Sequence, residues 1–127
     1  MLMQEFIQII GDDKNLIDLA DGLNRLRNNK RLYKMVLGEI LKEPYMELVN
    51  NNIKEGNIEE AAKNAHALKG VTANLSLKKA YEISAALEQK LKADEYDQEL
   101  HNELVSVLAD TKVCVEKVVE HIDELEI

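Results

Sequence analysis

Apolar residues in this chain recur at intervals of three and four for most of its length. One such series is Leu16, Leu19, Leu23 and Leu26. Others are Ile58, Ala61, Ala65, Leu68, Thr72 and Leu75, then Leu77, Ala80, Ser84, Leu87 and Leu91. The last is Leu100, Leu104, Val107, Thr111, Cys114, Val118 and Ile122. That spacing puts each series on one side of a helix. β-branched residues hardly cluster outside it, and one proline and five glycines leave few breaks. An all-α chain follows. Amphipathic helices on short connections bury their stripes against one another, so the expected architecture is an antiparallel four-helix bundle with a short N-terminal helical addition.

The breaks divide the chain. Leu2, Phe6 and Ile9 would form one face of a short first helix. Asp12 and Asp13 are candidates to cap the next, which Asn28-Asn29 ends. A helix is expected from about Lys30 to Glu55, through Val36, Leu37, Ile40, Leu41, Leu48 and Ile53. Pro44 either kinks it or opens a second, shorter helix. Gly56 suits the left-handed position after a helix, and Asn57 with Glu60 resembles a capping box. A helix from about Ile58 to Ala73 follows. Asn74 to Ser76 form a turn, with Ser76 expected to cap the helix beyond it. Lys92 to Asp97 is polar and reads as a loop.

With 127 residues the chain has room for a single domain, residues 1–127, around a single core. Its net charge of −8 argues against nucleic acid or an anionic membrane as the main partner. No apolar run approaches a membrane span. The acidic N-terminus does not resemble a signal peptide, and the single Cys114 excludes an internal disulfide, so a cytoplasmic location is expected. Cys114 lies on an apolar stripe and reads as an inert buried thiol. Asn74-Leu75-Ser76 matches a glycosylation sequon by chance.

Against this acidic background, residues 63 to 79 hold Lys63, Lys69, Lys78 and Lys79 and no acidic residue. His66 falls in that stretch, on the flank of its helix's buried stripe. Lys69 and Gly70 are its i+3 and i+4 neighbours, and Ala62 and Ala73 lie one and two turns away. A glycine inside a helix costs about 1 kcal/mol relative to alanine, so Gly70 calls for a packing or functional reason. Imidazole is a good nucleophile when neutral, as a histidine in water largely is near pH 7. A phosphoryl group on His66 would find a cation in Lys69, and Gly70 would let another protein's backbone approach. His101 and His121 read as surface or boundary histidines, His121 favoured by the C-terminal helix dipole. The chain has no glycine-rich phosphate loop and no paired metal ligands. No histidine follows a glutamate at the Glu-x-x-His spacing of a di-metal bundle.

The segment Ala65-His66-Ala67-Leu68-Lys69-Gly70-Val71-Thr72-Ala73-Asn74-Leu75-Ser76-Leu77 resembles the signature of histidine phosphotransfer (HPt) domains, the phosphoryl carriers of two-component and phosphorelay signalling. Gly22 to Leu26 with Arg31-Leu32-Tyr33, the approach from Asn50 to Ala67, and Leu87-Glu88 are similar to the family as well. The family-like core spans about residues 13–123. The resemblance implies a four-helix bundle in which His66 is the phosphoacceptor and Lys69 stabilises the phosphoryl group. It makes Gly70 the clearance for a response-regulator receiver domain, and Glu88 a hydrogen-bond partner of His66. It implies a receiver domain or a hybrid histidine kinase as partner, no intrinsic kinase activity and no cofactor, the receiver supplying Mg²⁺. The alternative is an HPt-like module that binds a receiver or other regulator without carrying phosphate. Ser76 departs from the family, which usually has glycine there.

Overall fold

A computed structural model describes residues 1–11 and 13–127. Its helices are α1 (Met3–Ile10), α2 (Leu19–Arg25), α3 (Lys30–Ile40), α4 (Tyr45–Lys54), α5 (Ile58–Asn74), α6 (Lys78–Lys92) and α7 (Gln98–His121), closed by a 3₁₀ turn at Ile122–Glu124. There is no strand among the described residues. The all-α bundle expected from the spacing is what forms.

The long helix expected from Lys30 to Glu55 is two helices. Pro44 has no N–H to give and stands just before α4. The Glu43 side chain does the capping instead, its Oε2 accepting from the backbone N–H of Tyr45 at 2.6 Å and of Met46 at 3.1 Å. Its other oxygen holds Lys112 Nζ of α7 at 2.9 Å. On either side of this joint, Lys34 of α3 pairs with Asp123 beyond the end of α7, and Asn50 of α4 bonds His101 near its start. Thus α3 and α4 together run the length of α7 in the opposite direction and serve as one broken member of a four-membered bundle. The other members are α5, α6 and α7. Leu37, Ile40, Val49, Leu68, Leu77, Leu87, Leu104 and Val118 are all buried in the common core.

The N-terminal addition is α1 and α2. In α1 the buried residues are Phe6 and Ile10, one turn apart, while Leu2 and Ile9 of the expected face are exposed. α2 starts later than its leucine spacing suggests. Its cap is Asp18, which accepts from Asp21 N at 3.2 Å. Asp13 instead accepts from Asn15 N in the preceding turn, and Asp12 lies outside the described residues. Asn28, in the left-handed region at φ 59°, ends the segment, and Asn29 caps α3. Gly22 lets α2 meet α3 closely: a Cβ there would lie 2.7 Å from Tyr33 Oη. The Tyr33 ring is fully buried, and that burial pushes its phenol well above the usual range.

The turn between α5 and α6 corrects another expectation. Ser76 does not cap α6; Leu77 holds that position with no side-chain bond. Ser76 sits at φ 57°, where a side chain is strained by about 1–2 kcal/mol. Its hydroxyl donates to Asp21 of α2, and its carbonyl accepts from Asp18 N at 3.1 Å. The left-handed backbone accounts for glycine being the usual residue there in the family that the sequence resembles.

Candidate phosphotransfer site

α5 begins where the sequence says a helix can begin. Gly56, at φ 73°, takes the chain out of α4, and Asn57 Oδ1 accepts from Glu60 N at 3.2 Å. Only this half of the capping box forms; the Asn57 N–H goes to the Asn52 carbonyl at 2.8 Å. Ala61, Ala65, Leu68 and Thr72 are buried. Thr72 spends its hydroxyl on the Leu68 and Lys69 carbonyls, so no polar group of this stripe is left bare in the core. With those positions fixed inward, the 3.6-residue period turns His66 outward, and its side chain is 64% exposed.

α6 supplies what lies beneath it. The Glu88 side chain is only 2% exposed, and three nitrogens converge on its carboxylate. His66 Nδ1 lies 2.7 Å from Oε2, Lys92 Nζ 2.9 Å from the same oxygen, and Lys69 Nζ 2.7 Å from Oε1. Burial alone would push this carboxyl upward. The hydrogen bonds from Lys69, Lys92 and His66 outweigh burial and bring it down to about 2. Glu88 is therefore ionised, and a carboxylate only accepts, so His66 Nδ1 is the donor. A neutral imidazole whose Nδ1 bears the hydrogen carries its lone pair on Nε2, and Nε2 has no partner among the described residues.

Gly70 lies one turn beyond His66, on the exposed surface of α5. A Cβ built there meets nothing within 4 Å. Packing gives no reason for a glycine at this place. On the other side of His66, α5 and α6 leave between them a cleft of about 550 Å³ whose apolar lining is Ile58, Ala62 and Leu91.

The geometry thus brings His66, Lys69 and Glu88 together with Gly70 beside them. Lys92 joins them without having been singled out from the sequence. The helix expected to stop before Lys92 includes it, which makes Glu88 and Lys92 an i, i+4 pair; that spacing was the signal. His101 departs from its reading as a surface or boundary residue. It is 8% exposed, with Nε2 2.6 Å from Asn50 Oδ1 and Nδ1 2.8 Å from Tyr96 Oη. Burial lowers its pKa below the ordinary histidine value. The Asn50 carbonyl can only accept, so Nε2 carries the hydrogen and Nδ1 accepts from the tyrosine. His121 is half-buried at the end of α7, with Nδ1 3.0 Å from a Glu124 oxygen. Cys114 is buried, and burial pushes its thiol up. No three metal-ligating side chains converge among the described residues, and none of the described helices is long and apolar enough to cross a membrane.

No curated protein and no solved structure was found to match the chain. A family model does: that of the Hpt domain, over residues 34–126. The match runs from within α3 through the whole of α4, α5, α6 and α7, which is well over half the chain and includes every residue around His66. The chain belongs to the Hpt domain family.

Proposed function

We propose that this protein carries a phosphoryl group on His66 Nε2 and relays it to or from the aspartate of a response-regulator receiver domain. Membership of the Hpt family makes it a histidine phosphotransfer module of a phosphorelay, and Hpt domains in general are phosphocarriers that work with receivers and kinases rather than enzymes. The observation that carries the finer reading is the pairing of His66 Nδ1 with ionised Glu88, which leaves the Nε2 lone pair facing solvent.

Attack by Nε2 on the phosphorus of an aspartyl phosphate forms the N–P bond and releases the carboxylate. The imidazole becomes cationic as the bond forms, and Glu88 lies against Nδ1 to stabilise that charge. Lys69 and Lys92 outnumber the carboxylate they hold, so the locality stays positive and attracts the arriving phosphoryl oxygens. Gly70 leaves the partner's backbone room beside the reacting atoms. Magnesium and the accepting carboxylate belong to the receiver, and this chain needs no cofactor of its own. A cytoplasmic site of action and a single domain over residues 1–127 complete the reading.

The test is transfer from phosphorylated receiver domains, followed by mapping of the modified residue. Acid-labile, base-stable label on His66 is expected, with none from ATP alone in a preparation free of kinase. Label on another residue, or incorporation from ATP alone, overturns the assignment.

A further inference from the structure

His66 and Lys92 hold the same oxygen. Nδ1 of the ring lies 2.7 Å from Glu88 Oε2, and Lys92 Nζ lies 2.9 Å from it. Lys69 takes the other oxygen, Oε1, at 2.7 Å. The place of Lys92 is fixed by how α6 ends. Asp94 takes a left-handed exit at φ 58°, and the Glu95 N–H bonds the Lys90 carbonyl at 3.0 Å. That closure keeps the last turn helical, so Lys92 stands one turn beyond Glu88 on the same face. Its side chain reaches from solvent down to a carboxylate that is itself buried. The other charged groups near the ring are Lys63, which pairs with Glu60 at 3.5 Å, and, farther along the cleft, Glu59 and Asp94. Among the described residues Glu88 is the one anion bonded to the ring, and it is shared.

A carboxylate against Nδ1 has two opposed effects on the reaction. It stabilises the cation that forms as Nε2 bonds phosphorus, which favours transfer. It equally stabilises the imidazolium that forms when Nε2 takes a proton. That species has no lone pair and must first release the proton to water before it can attack. Resting on the phosphocarrier reading, we infer that Lys92 is a positioning residue that acts through Glu88 and keeps the Nε2 lone pair available at lower pH. Two donors compete for Oε2, so each weakens the bond that this oxygen offers to the other. Lys69 cannot take over this part, because it lies on the oxygen away from the ring. Standing one turn from His66 on the same helix, Lys69 is placed to turn to the phosphoryl oxygens. Lys92 then keeps the buried carboxylate from being left alone with the imidazole.

Lys92→Met removes the cation and keeps most of the side chain's length. The probe is phosphoramidate, with His66 labelling rates taken relative to wild type at each pH from 5.5 to 8.5, which cancels the titration of the donor. Expected is a midpoint about one pH unit higher, so that labelling at the wild-type midpoint falls about fivefold and approaches wild type at the alkaline end. Lys92→Arg should restore the wild-type profile. In a Glu88→Gln background the effect of Lys92→Met should shrink to a small remainder, because the oxygen through which it acts no longer carries charge. A loss of equal size at every pH overturns the proposal and makes Lys92 a direct contact of the phosphoryl group or a prop. An undiminished pH effect in the Glu88→Gln background overturns it too, since Glu88 is then not the intermediary. The imidazole signals of His66, assigned by their absence from His66→Gln, give the same comparison by NMR titration without any transfer. Identical titrations of wild type and Lys92→Met refute the role of Lys92 even where His66 labels normally. Failure of phosphoramidate and of phosphorylated receivers to label His66 in the wild type refutes the phosphocarrier reading itself, and this inference with it.

Discussion

His66 and His101 are both hydrogen-bonded histidines near a helix–helix contact, and the chain uses them in opposite ways. His101 is buried, both ring nitrogens are engaged by neutral groups, and its neighbours fix a neutral tautomer. His66 is exposed, one nitrogen is engaged by an anion, and the other is free among the described residues. A histidine whose two nitrogens are both satisfied ties α4 and the α6–α7 loop to α7. A histidine satisfied on one side only, by a charge that stabilises its cation, is prepared to react. What separates them is therefore less the residue than the count and charge of its partners.

The largest expected effect comes from exchanging the losses. His66→Gln should abolish acid-labile phosphorylation while leaving the melting temperature close to wild type, since an exposed side chain is removed. His101→Ala should keep the label. Equal labelling of wild type and His66→Gln would dissolve the contrast. Next, Glu88→Ala takes the anion from His66 and leaves Lys69 and Lys92 facing each other. Single-turnover transfer should slow by tenfold or more, a size typical of losing one positioned charge. Transfer at the wild-type rate would mean that the carboxylate only anchors lysines.

The third effect concerns stability. His101→Ala leaves Asn50 and Tyr96 without their partner in a buried place, and denaturant titration should show a loss of about 2 kcal/mol. The same site should have a pH signature. Burial lowers the folded pKa of His101, so the unfolded chain binds more protons, and its contribution to stability is lost as pH falls through the ordinary histidine value of about 6.5. Glu88, at about 2 when folded against an ordinary 4.5, contributes above 4.5 and loses that contribution only as pH falls from there toward 2. Denaturation followed from pH 7.5 to 5.5 should show a decline in wild type that His101→Ala largely lacks. An identical decline in both would assign it elsewhere.

The smallest effect sharpens the comparison through two glycines. Gly70→Ala meets no neighbour and should stabilise the fold by about 1 kcal/mol. Gly22→Ala would press on the buried Tyr33 ring and should destabilise by about 1 kcal/mol or more. Gly70→Gln should melt no lower than wild type yet accept phosphoryl from a receiver more slowly. If that variant transfers normally between proteins, Gly70 is not a clearance.

Most of the helices were legible because burial imposes a 3.6-residue period, and the stripe of α6 from Leu77 to Leu91 is buried position for position. Gly56 and Asn57 were legible because the left-handed exit and the side-chain cap are local chemistry. The misses are tertiary. Whether Asp13 or Asp18 caps α2 depends on where the chain meets the α5–α6 turn, and Ser76 serves Asp21 across 55 residues of sequence. The burial of His101 depends on Asn50 and Tyr96, neither of which its own helix reveals. Lys92 was overlooked because the polar run from Lys92 to Asp97 read as a loop, whereas α6 runs through Lys92 and the depth of Glu88 makes it a member of the site. His66 and Lys69 stood out because a nucleophile, a cation and a glycine shared one exposed face.

The turn between α5 and α6 has a consequence for how the molecule assembles. His66 and Glu88 are 22 residues apart, and the reacting group, its anion and both lysines all lie on one helical hairpin. Closing so short a loop costs little chain entropy, and its contacts can form while the rest of the chain is still searching. The broken helix of α3 and α4, by contrast, finds α7 only across long separations, Lys34 and Asp123 being 89 positions apart. The reactive centre thus belongs to the most local part of the fold. Its tie to the N-terminal helices is at the turn, where Ser76 meets Asp18 and Asp21 of the α2 segment, at the end of the hairpin away from Lys92.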